Sequence, residues 1–118
     1  MQLRFVSTKA HGVLDYLSVG TLLAAPRLLG WGPRVTNVLT GAAAGTLVYS
    51  LLTRYELGLF KKLPMPAHLA LDGMQGALMC AAPALFKDED GAVTAALVGL
   101  GAFELGAALT TKTTPAAA

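Results

Sequence analysis

Residues 10–28, AHGVLDYLSVGTLLAAPRL, recur as AHLALDGMQGALMCAAPAL at residues 67–85, an ungapped match at an offset of 57. Eight of the nineteen positions are identical, among them His11 with His68, Asp15 with Asp72, and Pro26 with Pro83. Alanine and leucine coincide cheaply in an apolar chain, but His, Asp and Pro do not. Self-similarity of this kind marks a repeated structural unit. A bilayer core takes about 20 apolar residues per helix, and both copies approach that length. An offset that carries two helices makes both copies enter a membrane in the same direction. The sequence therefore predicts an all-α, polytopic membrane protein. Its four transmembrane helices form two tandem two-helix repeats, related by a pseudo-two-fold axis along the membrane normal.

Four apolar segments supply the spans, at about 10–31, 35–53, 67–86 and 91–111. Repeat 1 covers about 10–54 and repeat 2 about 67–111 within one domain of 118 residues, with 55–66 as an interfacial linker and 113–118 as a flexible tail. Composition agrees: 54% of residues are hydrophobic and 14% charged, with a mean hydropathy of +0.57. A soluble domain carries about a quarter charged residues. Ser7 and Thr8 are placed to cap the first helix, Gly30, Gly32 and Pro33 to separate it from the second, and Pro64 and Pro66 to start the third. Arg4 and Lys9 ahead of an apolar stretch ending Ala24-Ala25-Pro26 imitate a secretory signal. His11, Asp15 and the internal match identify a retained helix instead.

Loop charges orient the bundle. Arg4, Lys9, Arg54, Lys61, Lys62 and Lys112 fall at one end; Arg27, Arg34 and Lys87 fall at the other beside Asp88, Glu89 and Asp90. The positive-inside rule then places both termini in the cytoplasm. Residues 55–63, YELGLFKKL, read as an interfacial segment, and Trp31 as part of an aromatic belt at the opposite face. A net charge of +2, with no run of basic residues and aromatics, excludes nucleic acid as a partner. The lone Cys80 excludes an intramolecular disulfide and a CxxC site.

The two-helix unit, with its early Asp, a Gly and a small-Pro step near the far end of the first helix, resembles the SPW-repeat family of small bacterial membrane proteins. The matching positions are Asp15, Gly20, Ala25-Pro26 and Gly30-Trp31, then Asp72 and Ala82-Pro83. Alanine stands where that signature has serine, and Arg27 and Ala84 stand where it has tryptophan. The resemblance implies the helical architecture and a bacterial cytoplasmic membrane, and it implies no activity.

Ionisable groups within a span cost about 2.5–3.5 kcal/mol each on insertion scales and mark candidate functional sites. Asp15 and Asp72 sit five or six residues inside their helices, roughly 8–9 Å at 1.5 Å per residue. His11 and His68 lie one turn shallower, on the same helix faces, and Glu104 reaches the same layer from the fourth helix. Paired against the ungapped offset, Glu104 corresponds to Leu47, and its candidate partners are His11, His68, Tyr49, Ser50, or a proton shared with Asp15 or Asp72. The candidate polar cluster is thus His11, Asp15, His68, Asp72 and Glu104. It would suit zinc or iron, bis-histidine haem b, a proton pathway, or hydrogen bonding between helices with no cofactor, which is the leading expectation. Gly41 and Gly45, with Pro26 and Pro83, are candidate helix-packing positions.

No nucleophile–base pair or phosphate loop is present, so no enzyme is inferred. The leading functional reading is an interaction or accessory subunit, as a homo-oligomer or within a larger membrane complex in the bilayer. The alternatives are a metal- or haem-binding redox or sensing protein, and a small proton-coupled transporter or channel subunit.

Overall fold

A computed structural model of the chain describes residues 3–115, so residues 116–118 of the expected tail lie outside the described residues. The chain is all-helical, with α1 at Thr8–Leu28, α2 at Pro33–Leu52, α3 at Met65–Ala81 and α4 at Gly91–Thr110. A short 3-10 turn, Ala82–Ala84, continues α3. The described residues contain no strand, only the isolated bridges Val6–Thr111 and Thr53–Leu63.

Local chemistry sets the boundaries. Ser7 caps α1 by accepting from the Ala10 amide at 3.1 Å. Pro33 opens α2, where its missing N–H is no loss. Asp90 caps α4 by accepting from the Ala92 and Val93 amides. Pro26 lies inside α1, two residues before its end, and Pro83 sits in the 3-10 turn that ends α3.

Two hairpins result, α1 against α2 and α3 against α4, and α2 meets α3 less closely, through side chains such as Tyr49 with Asp72 and Thr46 with Gln75. Backbone straps join them at one end. Phe5 and Val6 donate to Thr110 O at 2.8 and 3.0 Å, and Lys112 donates back to Val6 O at 2.9 Å. Lys62 and Leu63 donate to Leu52 O, both at 2.7 Å, and Arg54 donates back to Leu63 O at 2.8 Å. These are the same three bonds made twice. The leading residues differ by 57 positions, and the trailing residues by 58.

The shift of one corrects the pairing of the second helices. At an offset of 58, buried Val35, Leu39, Ala43, Thr46, Ser50 and Thr53 align with buried Val93, Leu97, Gly101, Glu104, Ala108 and Thr111. Glu104 therefore corresponds to Thr46, not Leu47. The ungapped match fails here because one extra residue lies between Pro83 and Val93 relative to Pro26 and Val35.

The interior is divided along its length. Val19, Leu22, Val35, Leu39, Ala43, Met79, Phe86, Val93 and Leu97 form an apolar core toward the loops at 29–32 and 85–90. Toward the straps, the buried side chains include Thr8, His11, Asp15, Thr46, Ser50, Thr53, His68, Asp72, Glu104 and Thr111. The outside is the reverse: Leu17, Val38, Val48, Leu78, Val98, Phe103 and Leu109 are exposed. Two helices, α2 and α4, are long and apolar enough to cross a membrane, with mean hydropathies of 1.4 and 1.8. By contrast, α1 carries Lys9, Asp15 and Arg27, and α3 has 17 residues before its 3-10 turn.

Gly41 and Gly45 do not provide the close crossing expected of them, since no atom lies within 4 Å of where either Cβ would stand. They point outward. The tight crossing is between α3 and α4, where a Cβ at Gly76 would meet Gly101 O at 2.7 Å and one at Gly101 would meet Gly76 O at 2.6 Å. Backbone cannot yield there as a flexible side chain can. Gly76→Ala is expected to destabilise by about 1–3 kcal/mol. Gly41→Ala is expected to be neutral, or stabilising by up to about 1 kcal/mol through helix propensity. Unfolding of the two variants in detergent checks this, and equal responses would contradict the assigned crossing.

Candidate metal centre

The straps bring together residues that lie far apart in the chain. His11 and Asp15 stand one turn apart on α1, and His68 and Asp72 likewise on α3. Each histidine Nε2 faces both carboxylates. His11 Nε2 lies 3.1 Å from Asp15 Oδ1 and 2.7 Å from Asp72 Oδ2. His68 Nε2 lies 3.0 Å from Asp15 Oδ2 and 3.1 Å from Asp72 Oδ2. The two rings meet edge to face, with centroids 5.3 Å apart. All four residues are at least 95% buried, and one ligand atom from each lies within 4.8 Å of the others.

The far side of each ring settles the tautomer. His11 Nδ1 is 2.7 Å from Thr111 Oγ1, and His68 Nδ1 is 2.7 Å from Thr53 Oγ1. A hydroxyl carries one proton, and each threonine has already given it away. Thr111 donates to Ala107 O and Thr53 to Tyr49 O, both at 2.6 Å. Each threonine must therefore accept, so each Nδ1 carries a hydrogen. Both Nε2 atoms are left facing carboxylate oxygens, and two lone pairs at these distances repel unless a proton or a cation stands between them. His11 Nε2 meets Asp72 as a hydrogen bond, whereas His68 Nε2 has no partner in hydrogen-bonding geometry despite its complete burial.

Two phenols complete the surround. Tyr49 donates to Asp72 Oδ1, and Tyr55 donates to Asp15 Oδ2 at 2.7 Å. Burial and the nearby Asp15 charge raise the Tyr55 phenol above its ordinary range, so it serves as a donor. Second-sphere hydrogen bonds of this kind orient ligands and tune a metal site. Tyr55 comes from the linker expected to lie in the interface, and it is buried while Leu59 and Phe60 beside it are exposed.

Glu104 stands next to the cluster rather than within it. It accepts from Gln75 Nε2 at 2.7 Å, a partner outside the set expected from sequence. Gln75 also donates to Thr46 at 3.0 Å, so Thr46 and Glu104, which occupy matching positions, share one amide. Glu104 Oε2 is buried without a partner. A cavity of about 10 Å³, bordered by Ser18, Thr46, Glu104, His11 and both aspartates, has room for about one water.

Two neutral imidazoles and two carboxylates would balance one divalent cation, and the set matches zinc and ferrous iron in ligand type. A tetrahedron with bonds of about 2.0–2.2 Å has edges of roughly 3.3–3.6 Å. The observed N–O separations of 2.7–3.1 Å are shorter than such edges and use both Asp15 oxygens, while one ligand atom from each residue spreads over up to 4.8 Å, so an ion would require the four side chains to readjust around it. Bis-histidine haem does not fit. Both carboxylates occupy the space between the two Nε2 atoms, and the adjoining cavity is far too small for a macrocycle.

Sequence reading missed Thr53, Thr111 and Tyr55 as supports of this site, and it offered Tyr49 as a partner for Glu104, whereas the Tyr49 hydroxyl donates to Asp72. The two threonines carried a signal, since they share the pattern Leu-x-Thr at an offset of 58. Thr53→Val leaves the His68 Nδ1–H buried without an acceptor, which costs about 1–3 kcal/mol. Thr53→Ser keeps the acceptor and is expected to behave like the parent chain in the same unfolding assay. Comparison with protein-family models, curated proteins and solved structures finds no match to the chain.

Proposed function

We propose that the chain is a four-span membrane bundle, made of two copies of a two-helix unit, that holds one divalent transition-metal ion between the copies. The ligands are His11, Asp15, His68 and Asp72. One arrangement carries the reading: both Nδ1 atoms are committed as donors to threonines that donate elsewhere, so both Nε2 lone pairs face two carboxylates across a buried centre that needs a positive charge. A threonine holds each histidine and a tyrosine holds each aspartate before any ion arrives. The ion would contribute folding free energy, because the site is assembled from both hairpins.

Membrane insertion is supported by the inverted polarity, with polar side chains inside and large apolar ones outside. Soluble monomers seldom expose apolar patches of more than a few hundred Å². α1 and α3 join α2 and α4 as spans because their charged and imidazole groups at the centre are paired within the bundle rather than facing lipid. The basic end formed by Arg4, Lys9, Arg54, Lys61, Lys62 and Lys112 faces the cytoplasm.

A second reading has its own observation in the 2.7 Å hydrogen bond between His11 and Asp72. In that reading, protons take the place of the metal, and the cluster locks the halves together in an interaction subunit. Elemental analysis of detergent-purified protein separates the two. About one zinc or iron per chain is expected, lost in His11→Ala/His68→Ala and retained in Glu104→Gln. Chelation should lower the melting temperature, and the same ion should restore it. Because each Nε2 must shed any proton before it can coordinate, binding should weaken as pH falls. A chain that stays metal-free and gains no stability from zinc or ferrous iron would leave the proton-bridged lock.

A further inference from the structure

At the basic end, the two halves differ in what fills the groove between their helices. In the first half the chain fills it. A Cβ at Gly12 would come within 2.8 Å of Leu57 Cδ1, and Tyr16 donates to Leu57 O at 2.8 Å. In the second half, Leu69 and Gly73 stand where Gly12 and Tyr16 stand in the first. A depression of about 340 Å³ opens there between α3 and α4, floored by Leu69, Ala70, Gly73, Leu105 and Ala108. A Cβ at Gly73 would meet only Ala108 Cβ, at 3.9 Å.

The apolar depression continues into a polar one. Arg4 and Thr113 border both, and Lys112 and Thr114 complete the second, of about 220 Å³. Arg4 is held in place because its Nη1 donates to Ala108 O and Thr111 O, both at 2.8 Å. Among the described residues its Nε and Nη2 make no hydrogen bond, and they present the forked geometry that suits phosphate.

We propose that these joined depressions bind one anionic phospholipid, with an acyl chain between α3 and α4 and the phosphate against Arg4, Lys112 and the threonine hydroxyls. The inference rests on the membrane reading above, and it uses residues outside the metal site. Three features select this occupant. The apolar part is a groove along membrane-facing helix surface, the polar part carries two cations and, among the described residues, no acid, and their junction lies where α4 ends. Anionic lipids of the cytoplasmic leaflet are attracted to basic groups at that depth.

The test is native mass spectrometry of the full chain titrated with phosphatidylglycerol or phosphatidylcholine in detergent. One phosphatidylglycerol should be retained at concentrations where phosphatidylcholine is not, and retention should fall at least tenfold in Lys112→Gln. Gly73→Leu fills the groove and should abolish retention even where Arg4→Gln fails to fold. Equal retention of the two lipids, or unchanged retention in Lys112→Gln and Gly73→Leu, would overturn the proposal. Full displacement by inorganic phosphate would show an anion site without a lipid chain, which also overturns it. Insertion into phosphatidylglycerol vesicles, read by resistance to alkaline extraction, tests the membrane reading separately. A chain that inserts yet retains no lipid sinks only the present inference.

Discussion

Thr53 and Thr111 each own a single hydroxyl proton, and where it goes decides much else. Each gives that proton to the carbonyl one helical turn earlier, and so presents only lone pairs to the adjacent imidazole. The imidazole responds by donating from Nδ1, and its Nε2 turns toward the two carboxylates. Had either threonine donated to histidine instead, that ring would present an Nε2–H to the carboxylates and would have no lone pair there to coordinate an ion. A local helix-end hydrogen bond thereby sets the protonation pattern of a site drawn from both halves of the chain. This arrangement also explains why the threonines are completely buried at helix termini, where hydroxyls are ordinarily exposed.

The division of the interior into an apolar half and a polar half follows from what each must do. Toward the loops at 29–32 and 85–90, leucine, valine and phenylalanine fill the space between the hairpins. Toward the straps, two imidazoles and two carboxylates stand between the hairpins, and α2 reaches α3 through the side chains of Tyr49 and Thr46. Removing one partner from such a buried ionic group costs about 3–5 kcal/mol, because the remaining charge is stranded. The cluster is therefore an obligate unit. Glu104 is the exception, tied by one oxygen to Gln75 with its other oxygen unpartnered beside a water-sized cavity.

Much of this was legible in the sequence, and the rest was hidden for physical reasons. Apolar length located the four helices to within a few residues, since hydropathy reports average environment. The recurrence of His and Asp at one spacing located the site, because ionisable groups in apolar runs are conspicuous. Thr53 and Thr111 were not conspicuous, as threonine near a helix end is common and its partner lies far along the chain. Gly41 and Gly45 misled because spacing shows that two glycines share a face but not which way the face points. The one-residue insertion between Pro83 and Val93 displaced Glu104 from its true counterpart, Thr46, and concealed the likeness of the second helices.

The duplicated straps carry a topological consequence. Between α2 and α3 the peptide chain and three backbone hydrogen bonds both make the connection; between α4 and α1 the hydrogen bonds make it alone. The second strap thus stands in for a covalent link that the chain lacks, and the four helices form a closed ring with one junction left unjoined. In such a ring no hairpin is terminal. Each has both of its chain ends tied to the other, so fraying that begins at α1 or at α4 must first break the three backbone hydrogen bonds of the second strap.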